Sequence, residues 1–163
     1  MLVPAVTGYD VVMAVHVMAV VIAFGWTFSL PLVYAVAAKR DPRGLPLLHR
    51  VEFMVSRWIL NPALVVILAA GIFLASDGHH WSEFFVQWGL AAIVVIGGLV
   101  GSVLMPAAKR AEEAVARDLE AWNGEGAFAP GREYREITRR LNLVGSIASG
   151  LVLLTILFMT IKP

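Results

Sequence analysis

"DVVMAVHVMAVVIAFGWTFSLPLVYAVAAK", residues 10–39, holds no formal charge between Asp10 and Lys39. A hydrocarbon core about 30 Å thick is crossed by roughly 20 helical residues rising 1.5 Å each. This stretch therefore spans a bilayer with residues to spare, and must tilt, bend or project beyond it. Three further blocks, 58–76, 84–108 and 141–161, also lack Asp, Glu, Lys and Arg. The chain is 59% hydrophobic and 15% charged, with a mean hydropathy of +0.77. A soluble domain carries about 45–50% apolar and about 25% charged residues. These observations predict an all-α, polytopic membrane protein: one domain over 1–163 built as a four-transmembrane-helix bundle, with spans at about 11–38, 58–76, 84–108 and 141–161.

The basic residues set the orientation. Lys39, Arg40, Arg43, Arg50 and Arg57 lie between the first two spans. Lys109, Arg110, Arg117, Arg132, Arg135, Arg139 and Arg140 lie between the last two, and "SDGHHWSEFF" (76–85) has none. The positive-inside rule places both basic connections in the cytoplasm and both termini outside, as expected for a bacterial inner-membrane protein. The basic residues mark a membrane face, so the net charge of +1 gives no reason to expect nucleic acid. The first apolar run exceeds the roughly 7–15 residues of a secretory core and has no basic leader, so it reads as a span rather than a removed signal.

Within this frame Pro31, with Gly25 and Ser29, predicts a kink in span one, and Asn61–Pro62 another in span two. "GGLVGS" (97–102) and the Gly145, Ser146, Ser149, Gly150 set are small-residue faces suited to close helix approach. They serve packing inside the bundle or a homodimer. Over 109–140, Ala108, Ala111, Val115, Leu119 and Trp122 recur at helical spacing. The pairs Lys109–Glu113 and Glu113–Arg117 sit four apart on that helix, and Arg132–Glu136 and Glu136–Arg140 on the next. "NGEG" and "APG" break the two helices apart, so the reading is a cytoplasmic helical hairpin between spans three and four.

Absences exclude much. With no acidic or basic residue inside the four blocks, proton pumping and voltage sensing lack their groups. Asn61, Gln87 and Asn142 lie toward span ends and form no polar pathway for a transporter or channel. No phosphate loop, nucleophile motif or carboxylate pair occurs, and the chain has no cysteine, which removes disulfides, thiolate metal sites and covalent c-type haem.

His16 remains. An imidazole in hydrocarbon needs partners, so it should face the bundle interior. On a helix of 3.6 residues per turn, Ala19, Ala23 and Thr27 continue its face as a stripe of small side chains. Such a stripe admits a flat ligand or a neighbouring helix, and a neutral imidazole is a standard axial ligand to haem iron. His79 and His80 share His16's side of the membrane, where His16 lies about 8 Å below Val11 along the helix. Met159 reaches comparable depth in span four. His16, His79, His80 and Met159 are thus the candidate metal ligands, and His16, Ala19, Ala23 and Thr27 the candidate cofactor-binding set. His49, among basic residues, reads as solvated.

"AVHVMAVVIAFGWTFSLPLVYA" (14–35) resembles the histidine-then-Gly/Trp span of small four-helix bacterial membrane proteins, among them the HemJ-type protoporphyrinogen oxidases and CopD-like copper-resistance domains. "NPALVVILAAGIFLA" (61–75) is similar to their second span. With "HW" before span three, "MPAAKR" (105–110) after it and "FMTIKP" (158–163) at the end, the outline most resembles the integral membrane family called domain of unknown function 2269. The resemblance implies haem b between helices, with His16 at the position of the first-span histidine. The oxidase type has Pro-Arg where this chain has Pro31–Leu32, and a later-span lysine that is missing here. The oxidase activity is therefore not implied. Two functions follow as expectations: a haem b protein for electron transfer or haem handling, or a cofactor-free accessory subunit of a larger membrane complex.

Overall fold

The structure, a computed structural model, describes residues 5–162. Helix α1 (Gly8–Arg40) opens with a capping box: Thr7 Oγ1 accepts from the Asp10 N–H while the Asp10 carboxylate accepts from the Thr7 N–H, so two otherwise orphaned donors are satisfied reciprocally. Pro31 lies inside this helix without interrupting it. In the turn before it, Thr27 Oγ1 donates to the Phe24 carbonyl at 2.7 Å and Ser29 Oγ to that of Trp26 at 2.9 Å, the hydroxyl-to-backbone bonding that accompanies proline in lipid.

The second rod joins a 3-10 turn (Pro42–Gly44), α2 (Leu45–Val55), a π turn (Ser56–Leu60) and α3 (Asn61–Asp77). The third joins α4 (Phe84–Leu99), a π turn (Val100–Leu104) and α5 (Met105–Ala121). The fourth is α6 (Arg132–Ile161). Both π turns have the same cause. Pro62 and Pro106 lack an N–H and crowd the carbonyl four residues back. The residue before each proline bonds five back instead, Asn61 to Ser56 and Met105 to Val100, and the widened turn relieves the crowding. Asn61 Nδ2 donates to Met105 Sδ at 3.4 Å, which pins the two turns side by side. The turn before Pro62 falls at the expected kink; its counterpart before Pro106 was not anticipated.

Four helices are long and apolar enough to cross a membrane, and there is no strand among the described residues. In the middle of the bundle Ala19 and Ala23 of α1 pack with Leu64 and Ile67 of α3, Ile96 of α4 and Val152 of α6. The outer surface is itself apolar, with Val21, Val65, Val94 and Leu153 exposed on the four rods. Water would disfavour that surface; hydrocarbon requires it, because backbone polar groups are already spent within the helices. The expected Gly faces are open: a Cβ at Gly97, Gly98, Gly101, Gly145 or Gly150 would meet nothing within 4 Å. The bundle does not pack through them.

At the basic end, the connection over 39–57 contains α2, a helix missed in the sequence. It packs on α5, so the expected hairpin is one part of a helical layer with its own core of Leu45, Ala111, Ala114, Val115 and Tyr134. Trp122–Gly131 separates α5 from α6, as expected. Of the expected helical ion pairs, Arg132–Glu136 forms at 2.8 Å. Lys109–Glu113, Glu113–Arg117 and Glu136–Arg140 are not among the ion pairs of the described residues; Arg117 instead crosses the hairpin to Glu133 at 2.8 Å, and Arg50 ties α2 to Glu112 of α5 at 2.7 Å.

Candidate functional site

At the end opposite the two basic connections, α1, α3, α4 and α6 line a cavity of about 470 Å³. That volume falls within the 300–1,000 Å³ typical of small-molecule and cofactor sites. Its walls are mostly aliphatic and aromatic, and His16, His80, Met159 and Lys162 all line it. Val17 and Val21 of α1 and Ile156 and Thr160 of α6 line it too while being exposed on the bundle surface, so the cavity is reached between those two helices.

His16 is fixed by one bond. Its Nδ1 lies 3.1 Å from the Ile67 carbonyl of α3. A carbonyl only accepts, so Nδ1 carries the proton and Nε2 keeps its lone pair. Among the described residues Nε2 has no hydrogen-bond partner, yet it is not sealed in the packing: the only buried, unpartnered side-chain nitrogen or oxygen among them is Trp26 Nε1. Metal-ligating histidines characteristically donate their second N–H to a carbonyl in this way, which fixes tautomer and ring orientation.

Three of the predicted ligands share the cavity, and each rests against a glycine. The His16 ring lies 3.5 Å from where a Cβ of Gly71 would stand. A Cβ on Gly78 would collide with the His80 ring, and one on Gly89 with the Met159 methyl. The glycines thus give the three side chains room. Single glycines in hydrophobic helices carry no such signal without the fold. His79 stands apart: it is exposed, with Nδ1 3.1 Å from the Asp77 carbonyl and a left-handed φ of 55°. Ala19 and Ala23 are buried against α3 and do not line the cavity. Thr27, a turn further on, bonds to its own helix. The α1 wall includes instead Met13, Val17, Val20, Val21 and Phe24 beside His16.

No group of three or more His, Cys, Asp or Glu side chains able to hold a metal ion is assembled among the described residues. A bare ion needs such a set. A metalloporphyrin does not, because its ring supplies four nitrogens and the protein one or two axial ligands.

A second polar cluster lies at the basic end. His49, expected in solvent, is only 2% exposed. Tyr134 of α6 lies 3.1 Å from its Nε2 and Tyr34 of α1 2.9 Å from its Nδ1, while the Tyr34 hydroxyl donates to Glu52 at 2.6 Å. One consistent chain of donors satisfies every member: Tyr134 O–H to Nε2, Nδ1–H to Tyr34, Tyr34 O–H to Glu52. It ties α1, α2 and α6 together.

No family model, curated protein or solved structure matches the chain.

Proposed function

We propose that this chain is an inner-membrane haem b protein, serving electron transfer or haem handling, with His16 as axial ligand. The observation that carries the reading is His16 itself: Nδ1 spent on the Ile67 carbonyl, Nε2 bare, and the ring on the wall of a cavity of about 470 Å³. The residues fit the group. The walls are mostly apolar, as a porphyrin's face requires, and His80 and Met159, on the same lining, would be the candidates for a second ligand. The resemblance of span one to haem-associated membrane families points the same way. Haem would bring one-electron chemistry; the chain's part is to hold, orient and shield it.

Titration of haemin into the detergent-purified protein tests this. The expected result is a saturable Soret band at one equivalent. Absence of saturable binding, together with stable comigration with other membrane proteins, would leave the accessory-subunit reading. In that case the open glycine faces of α4 and α6 are where a second copy or a larger complex would seat.

The proposed orientation has its own test, since the chain contains no cysteine. Ser82→Cys should react with a membrane-impermeant maleimide on intact cells, and Ala127→Cys only after lysis. The reverse pattern would invert the topology.

A further inference from the structure

Lys162 is the one Lys or Arg outside the two basic connections, and the haem reading does not use it. It caps α6 in the left-handed region, φ 53° and ψ 57°, its N–H donating to the Phe158 carbonyl at 2.9 Å. A non-glycine residue pays a steric penalty there. The conformation turns the side chain back onto the bundle: Nζ lies 5.8 Å from the ring centroid of Phe85, a buried residue of α4. The His80 ring lies 6.0 Å from the same Phe85 ring, so Phe85 is flanked by an ammonium and an imidazole. All three line the His16 cavity. Among the described residues every ion pair lies at the basic end, and none involves Lys162. An apolar cavity with an exposed ammonium on its lining matches a ligand that is apolar in body and anionic at one edge.

Resting on the haem reading, we propose that Lys162 is a specificity residue that recognises a carboxylate on the ligand, for haem b a propionate. An ammonium donating to a carboxylate makes a charge-assisted hydrogen bond. A lysine that merely complements the negative end of α6 would be indifferent to the ligand's carboxylates, and that difference is measurable.

The experiment titrates three porphyrins into the full-length protein: haemin, haemin dimethyl ester with both carboxylates blocked, and metal-free protoporphyrin IX. The wild type should bind haemin about tenfold more tightly than the ester. Lys162→Ala should weaken haemin and metal-free protoporphyrin by about that factor and leave the ester unchanged, and Lys162→Arg should restore the preference. Equal affinity of the wild type for acid and ester, or equal loss for both in Lys162→Ala, overturns the proposal. The axial reading fails separately: its failure shows as a His16→Ala protein that binds haemin as the wild type does, whatever Lys162 does. Failure of the wild type to bind any of the three overturns both.

Discussion

His16→Ala protein is expected to lose haemin affinity by at least about 100-fold and to purify colourless, while its helix content stays at the wild-type level. Loss of a hydrogen bond that merely orients a metal ligand already costs about 10–100-fold, so loss of the ligand must exceed that. The structural cost is small by comparison. His16 makes one interhelical hydrogen bond, to Ile67, and such bonds contribute about 0.6 kcal/mol on average in a membrane bundle. Because binding and folding respond so differently, spectroscopy and circular dichroism on one sample separate them. Added imidazole should restore the Soret band by occupying the space the side chain vacates. A coloured His16→Ala protein with unchanged affinity would place the iron elsewhere.

The second large effect is expected at the other end of the molecule. His49→Ala should destabilise the protein by roughly 2–4 kcal/mol, read as a shifted midpoint in detergent unfolding. Removing the ring leaves the Tyr134 hydroxyl without its acceptor and Tyr34 without its donor, at a place where His49 is only 2% exposed. A buried polar group left unpaired costs about 1–3 kcal/mol, and the lost volume adds to this. Tyr134→Phe removes a single bond and should cost only about 1 kcal/mol. Combining it with His49→Ala should cost less than the sum, since the two share one interaction. Strict additivity would show that the cluster does not act as a unit. Haemin binding should survive these changes, because none of the cluster lines the His16 cavity.

The spans were readable because hydrocarbon imposes a length and forbids charge, and both are local properties of sequence. That the regular helix would be disturbed near Asn61–Pro62, where a π turn now stands, was readable for the same reason: a missing donor is a property of one residue. The helix over Leu45–Val55 was not. Its arginine, histidine and glutamate make it look like a connection, and only its packing on α5 reveals that Leu45 and His49 face inward. His49 was misplaced by the same route, since arginine neighbours argue for solvent unless a second helix covers the face between them. That the His16 ring would point inward followed from the cost of an unpaired imidazole in lipid, and His80 and Met159 do reach the same cavity. The stripe of Ala19, Ala23 and Thr27 suited a flat ligand and a neighbouring helix equally; Ala19 and Ala23 pack against Leu64 and Ile67, and larger side chains, Val20 and Phe24, border the cavity instead. The glycines opposite the three ligands and the fold-back of Lys162 depend on distances between helices that no single span encodes.

Haem binding through His16 comes down to whether iron bonds to one particular nitrogen. Pulsed electron paramagnetic resonance on haemin-loaded protein, prepared with and without ¹⁵N-histidine, reads that bond. Ligation by His16 gives a strong histidine-nitrogen coupling to the ferric iron that disappears in His16→Ala and persists in His79→Ala. The same coupling in wild type and His16→Ala, or none in either, would contradict it.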